Sequence, residues 1–206
     1  MFPLGSVLVP GELIPLHVFE PRYRQLVHDC LEGSPELGIV LIERGSEVGG
    51  GDVRTDVGTL GRLADARALP DGRWAIAVVG ERRIRVTAWL DDDPYPRAEV
   101  ELWPDPAPGA DHDELLERVA ASLRTTLTTL ASKGTGGPPV TGPVAADPVL
   151  AGYQMIALAP IGPLDRQRLL AAPTPEARLE DLDRMLAEVR ELVALEGEVG
   201  PPPEDG

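Results

Sequence analysis

The sequence predicts an α+β protein in which a β-rich half precedes a half made of helices. Three observations carry this. Polar and apolar residues alternate after a Pro70-Asp71-Gly72 turn, as they do in half-buried antiparallel strands. A proline-rich stretch, Pro104 to Gly109, then interrupts the chain. After it, apolar residues recur at three- and four-residue spacing, the period of a helix face turned to a core.

In chain order, the first regular element after the opening apolar run is a helix. Glu20 and Pro21 stand where an N-terminal acidic residue and a first-turn proline belong, and Tyr23, Leu26, Val27, Cys30 and Leu31 form its apolar stripe up to Gly33. Leu37 to Ile42 is a continuous apolar run, which predicts a strand buried on both faces. Gly45 to Asp52, with three consecutive glycines, reads as a flexible loop, and Val57 to Leu69 as extended chain. In the Pro70-Asp71-Gly72 turn, proline presets φ and glycine supplies the left-handed position. Beyond it, Trp74, Ile76 and Val78 alternate with Arg73, Ala75 and Ala77 until Gly80, which is expected to end the strand. Ile84, Val86 and Ala88, then Ala98, Val100 and Leu102, repeat the alternation, with the arginines and glutamates between them expected on the solvent face. Asp91 to Asp93 is expected to turn before Pro94.

Past the linker, Asp111 is a candidate cap for a helix striped by Leu115, Leu116, Val119, Leu123, Leu127 and Leu130. Lys133 to Pro143 reads as a mobile connection. Asp147 and Pro148 open a second helix with Leu150, Tyr153, Met155 and Ile156. A short third helix holds Leu164, Arg168, Leu169 and Leu170. Thr174 and Pro175 open the fourth, with Leu179, Leu182, Met185, Leu186, Val189, Leu192 and Val193. The domain reading is a β-rich lobe over residues 1–104, a linker at 105–110, a helical lobe over 111–196 and a disordered tail at 197–206.

Composition narrows function. The formal charge is −15, from 19 basic and 34 acidic residues, and such a field repels phosphate backbones and anionic lipid surfaces, so neither nucleic acid nor membrane is an expected partner. A preference for basic, poorly folded polypeptide is compatible with it. One cysteine, Cys30, allows no internal disulfide framework, and the chain opens without a signal-like segment, so a reducing, cytoplasmic setting is expected.

The search for chemistry ends on single residues. Lys133 is the sole lysine, it lies at the edge of the glycine-rich connection, and no P-loop spacing precedes it, so neither a serine–lysine hydrolase nor a nucleotide site is expected. His28 and Cys30, two apart on a helix, point to different faces and have no second pair of ligands. His17 and His112 complete no triad, and the acidic runs at Asp91 to Asp93 and Glu180 to Asp183 read as solvated. No catalytic residue, cofactor or metal is therefore expected.

Several segments together resemble the N-terminal substrate-binding domain of Lon proteases. They are FPLGSVLVPGELIPLHVFEPRY from Phe2, GIVLIERG from Gly38, VGTLGRL from Val57, DGRWAIAVVGERRIRV from Asp71, PYPRAEVE from Pro94 and DRQRLLAAPTPEARLEDLDRML from Asp165. The resemblance implies a PUA-like pseudo-barrel of about six strands with one inserted helix, followed by a bundle of about four helices. It implies recognition of unfolded or damaged polypeptide without the ATPase or peptidase of Lon, as a non-catalytic binding or adaptor protein that delivers clients to a cytoplasmic protease. The FEPRY segment supplies the candidate peptide-binding residues Phe19, Glu20, Arg22 and Arg24, with Phe19 and Tyr23 also expected as core anchors. The alternatives are a small-molecule sensor of cereblon-like type and, against the charge, a PUA-like RNA binder.

Overall fold

A computed structural model describes residues 1–45, 53–134 and 145–198, with side chains described to 195. The expected loop at Gly45 to Asp52, the connection from Lys133 to Pro143 and the tail therefore fall largely outside the described residues. The chain forms two compact units. The first comprises Met1–Ala107 and Gly162–Pro173, the second Pro108–Ile161 and Thr174–Gly206.

The first unit is built on strands β1 (Phe2–Leu4), β2 (Leu13–Val18), β3 (Glu36–Arg44), β4 (Val53–Ala68), β5 (Trp74–Leu90) and β6 (Arg97–Leu102), with helix α1 (Pro21–Glu32) between β2 and β3. They make one six-stranded sheet in the order β1-β3-β4-β5-β2, and β6 also pairs with β5. All pairings are antiparallel except β1 with β3.

Helix α1 begins as its sequence dictates, with Glu20 extended at the N-cap and Pro21 in the first turn, and it stops at Gly33. Its buried residues Tyr23, Leu26, Val27 and Cys30 follow the three- and four-residue spacing. They pack on Phe2, Leu4, Val18, Leu37, Ile39, Ile76 and Val78 in one aliphatic core. The Tyr23 ring lies 4.4 Å from that of Phe2, a tilted aromatic contact at the centre of it.

Gly80 does not end a strand. β5 continues through it for 17 residues, with register irregularities against β4 between Leu60 and Gly61 and between Leu63 and Asp65. The reason lies in the crossing segment Val7 to Glu12. Gly80 exchanges hydrogen bonds with it, Gly80 N to the Glu12 carbonyl and Gly11 N to the Gly80 carbonyl, both at 2.8 Å. A Cβ at Gly80 would stand 2.3 Å from the Val9 carbonyl oxygen. Glycine here permits close backbone approach within a strand.

Two further expectations are corrected. Arg83, placed on the solvent side by alternation, is buried, because its guanidinium has a built set of partners inside the unit. Val100 and Leu102, placed on the buried side, are 42 % and 51 % exposed, on an outer strand that pairs only with β5 among the described residues.

The 162–173 segment holds helix α4 (Pro163–Leu170), and it groups with the strands, whereas the sequence reading assigned it to the helical lobe. Gln167 donates to the Val57 carbonyl at 2.9 Å, Arg166 pairs with Glu12 at 3.2 Å, and Leu169 and Leu170 are buried. The short stripe of an eight-residue helix fits either surface, so periodicity alone could not choose between them.

The second unit contains α2 (His112–Ser132), α3 (Pro148–Leu158) and α5 (Pro175–Glu198). Asp147 caps α3 by accepting from Leu150 N at 2.8 Å, and Thr174 caps α5 by accepting from Ala177 N at 3.1 Å. Val119, Leu123, Ala151, Ile156, Leu182 and Leu186 form the fully buried interior. Leu192 is exposed, so the α5 stripe loses contact before its last turn. No described helix is long and apolar enough to cross a membrane.

Candidate functional site

The FEPRY segment lies where β2 ends and α1 begins, and its side chains take separate positions. Val18 is the last buried residue of β2, and the extended backbone at Glu20 then turns the chain into the helix. That reversal sends Tyr23 into the core and leaves Phe19 outside, 53 % exposed. The expectation that Phe19 anchors the core is thus overturned, for it precedes the helix and shares neither the strand's inner face nor the α1 stripe.

Glu20 accepts from Arg22 Nε at 3.1 Å, and the Arg22 guanidinium lies 4.5 Å from the Tyr23 ring centroid. Both side chains of this pair are only 18 % exposed. Pairing over an aromatic face holds the charges in one geometry. Arg24 is exposed on the next turn and its guanidinium faces Gly72, in the turn between β4 and β5.

A slot of about 190 Å³ lies beside the segment, lined by Phe2, Leu4, Pro15, Val18, Phe19, Tyr23 and their neighbours His17 and Glu20. Phe19 and Glu20 therefore reach one concavity, whereas Arg22 and Arg24 are not among its lining residues. Most of the residues lining the slot are apolar, while His17, Glu20 and backbone groups give it polar surface of similar extent. Such a surface can take an aliphatic or aromatic side chain.

Elsewhere, ionisable groups are committed to structure. Lys133 Nζ donates to the Val193 carbonyl. His112 is buried, with Nδ1 3.1 Å from Glu176 Oε1, which also accepts from Gly109 N at 2.8 Å. That backbone hydrogen bond, ahead of the His112 contact, holds the Glu176 carboxyl below the usual carboxylate range. Cys30 is buried and directed at the Glu36 carbonyl at 3.6 Å, and burial pushes its thiol upward, away from the reactive thiolate. Among the described residues no group of three or more His, Cys, Asp or Glu could hold a metal ion.

The pairing of Glu20 with Arg22 was legible from the spacing of charges around Pro21. The slot was not, because Phe2, Leu4 and Pro15 come to it only through the sheet order.

Comparisons with known proteins agree on the origin of this architecture. A family model described as the ATP-dependent protease La (LON) substrate-binding domain matches residues 1–188. Lon protease 1 of Herpetosiphon aurantiacus is 28 % identical over 203 residues, covering 94 % of this chain and 24 % of that protein. The Lon protease of Dictyoglomus thermophilum is 33 % identical over 97 residues, covering 47 % of this chain and 12 % of that protein. The chain thus spans at most about a quarter of the length of these two relatives. A crystal structure of a Lon N-terminal domain protein from Xanthomonas campestris superposes with a TM-score of 0.62 at 29 % identity, over 90 % of this chain and 95 % of that one. The N-terminal domain of a Mycobacterium avium complex Lon protease shares the fold, with a TM-score of 0.65 at 15 % identity, over 90 % and 97 %.

Proposed function

Since the chain belongs to the family of Lon substrate-binding domains, we propose that it recognises unfolded or damaged polypeptide, without itself cutting it, and presents it to a protease. One observation carries the reading: the exposed Phe19 ring stands beside an apolar slot whose walls, Phe2 and Tyr23, are fixed in the core. An apolar side chain of an unfolded client would enter the slot and cover Phe19, while a folded protein keeps such side chains inside.

The commitment of the sole lysine to a backbone carbonyl supports the non-catalytic part of the reading. The formal charge of −15 favours basic clients and disfavours RNA. Among the four FEPRY candidates, Phe19 is the contact in this reading, Glu20 and Arg22 form the pair beside it, and Arg24 is an outer charge.

The test is binding of a fluorescently labelled, permanently unfolded basic protein, such as reduced and carboxamidomethylated ribonuclease A, followed by anisotropy. Wild type should bind it and leave it uncut, and Phe19→Asp should bind at least tenfold more weakly. Binding of the native, disulfide-bonded form equal to that of the unfolded form would refute the reading.

A further inference from the structure

We infer that β4 carries a second contact for polypeptide, a free strand edge that adds an extended segment with alternating apolar and basic residues. The inference rests on the polypeptide-binding reading above but concerns a different surface.

The edge arises from unequal strand lengths. β4 has 16 residues, yet β3 accompanies it only as far as the Glu36–Arg62 pair. From Leu63 to Ala68 the strand is paired with β5 on one side and, among the described residues, with no strand on the other. The direction of its backbone groups follows from two hydrogen bonds. Leu63 N donates away from β5, to the Pro35 carbonyl at 2.7 Å, and Leu69 N donates toward β5, to the Arg73 carbonyl at 2.8 Å. The irregularity between Leu63 and Asp65 absorbs one residue at Ala64. Antiparallel alternation then turns the N–H and C=O groups of Asp65 and Arg67 toward β5 and those of Ala66 and Ala68 outward. Those two residues offer unused donors and acceptors in strand geometry, which another strand satisfies.

A groove of about 440 Å³ runs beside this edge, lined by Cys30, Leu31, Pro35, Leu63, Asp65 and Ala66 among others. Leu31, at the end of α1, is 50 % exposed and forms its apolar wall. Asp65 is the one carboxylate in the lining, which contains no basic residue, and it makes no ion pair among the described residues. An added strand therefore meets the apolar Leu31 wall and the Asp65 carboxylate, with Arg67 two residues further along the same face of β4. A basic residue across from Asp65 is favourable, and the formal charge of −15 outweighs the single Arg67, so alternating apolar and basic residues fit.

The opposite end of the sheet is poorly suited to the same task. On β2, Pro15 lies across from Ala77, whose polar groups are used by Asp65 of β4. Pro15 thus occupies an outward position on β2 and has no N–H to offer, a common way of blunting an edge.

The probe is a fluorescein-labelled peptide, acetyl-Val-Lys-Val-Lys-Val-Lys-Val-amide, added to the full chain. Amide hydrogen exchange at Ala66 and Ala68 should slow at least tenfold at saturation. Ala66→Pro, which removes one outward donor without taking a ladder bond, and Leu31→Asp should each abolish the protection, read at Ala68 alone in the proline variant, which has no amide hydrogen at position 66. Asp65→Lys should weaken binding by about two- to fivefold, the size of a cross-strand charge effect. The same peptide with alternate residues N-methylated, or with glutamate for lysine, should not bind. Exchange at Ala66 and Ala68 unchanged by the peptide overturns the inference. So does protection without peptide that grows with protein concentration, which assigns the edge to a second copy of the chain. Unfolded, carboxamidomethylated ribonuclease A is measured in parallel. If it binds wild type and Ala66→Pro equally, the edge is excluded and the polypeptide-binding reading stands. If it binds neither while the peptide protects both alanines, the client reading fails and the edge remains.

Discussion

Arg83 Nη2 donates to Asp105 Oδ1 at 2.8 Å, and the arginine side chain in this pair is 1 % exposed. From the same guanidinium, Nη1 donates to the carbonyl oxygens of Leu170 and Ala172 at 2.9 and 2.8 Å, and the group lies 4.1 Å from the Trp103 ring centroid. One strand residue thereby fixes both the exit of β6 and the end of α4, all within the first unit. A buried charge is tolerable when it is paired and hydrogen-bonded in this way, and removing a partner leaves the remainder stranded.

Arg83→Met should accordingly destabilise the protein by about 3–5 kcal/mol, the cost of breaking a buried pair by deleting one member. Arg83→Lys should recover only part of this, because an ammonium cannot span two carbonyls and a carboxylate in the planar geometry of a guanidinium. Urea unfolding monitored by tryptophan fluorescence checks both, since Trp103 lies against the substituted residue.

Gly80→Ala should destabilise by about 1–3 kcal/mol, the usual range for forcing extra atoms into a packed site. Its Cβ would meet the Val9 carbonyl carbon at 3.0 Å and the oxygen closer still, and both are backbone atoms that cannot rotate away. Gly162→Ala, where nothing lies within 4 Å of the added carbon, is the steric control, and its cost should be confined to the loss of glycine at the N-cap of α4, about 1 kcal/mol or less.

These two positions also show where sequence reasoning stopped. Alternation placed Ile76, Val78, Ile84 and Val86 correctly inside, since burial on one face of a strand is a local property. Capping residues at Pro21, Asp147 and Thr174 placed the helix starts because they act on the next turn only. Gly80 and Arg83 were misread because their partners, Val9 and the Leu170 and Ala172 carbonyls, are about 70 to 90 residues distant in sequence. At the candidate site the charge pair was legible for the same local reason. Phe19 was assigned to the core from its hydrophobicity, and only the turn into α1 shows that it points out.

Tyr95 gives a pH dependence with a definite sign. Its hydroxyl donates to Asp29 Oδ2 at 2.7 Å, tying the segment before β6 to α1. Burial, followed by the hydrogen bond to Asp29, pushes the phenol up to about 12. The protonated form is thus the one favoured on folding. Its contribution is complete below pH ~10, the ordinary value, and is lost as pH rises through about 12. Asp29 behaves inversely: held low mainly by the Tyr95 hydroxyl, it contributes above the ordinary carboxylate range and loses its contribution as pH falls. A Cζ chemical-shift titration of labelled tyrosine should show Tyr95 as a late-titrating ring, and Asp29→Asn should bring its midpoint down.

The neighbours Phe19 and Tyr23 separate recognition from folding. Tyr23 is buried against Phe2, so Tyr23→Ala should cost about 3–5 kcal/mol, as large-to-small changes of core aromatics do. Phe19 makes no such contact, and Phe19→Ala should change stability by no more than about 0.5 kcal/mol, the usual range for surface positions. If the slot recognises unfolded polypeptide, Phe19→Ala nevertheless weakens client binding, because the exposed ring is the part of the surface that a client side chain would cover. Arg22→Ala should fall between the two, since it removes the partner of Glu20 and uncovers one face of the Tyr23 ring. Measuring unfolding midpoint and client affinity on the same three preparations distinguishes the cases. A Phe19→Ala protein with unchanged stability and unchanged affinity would move the contact away from this slot, and loss of both together would mean that the ring serves the fold.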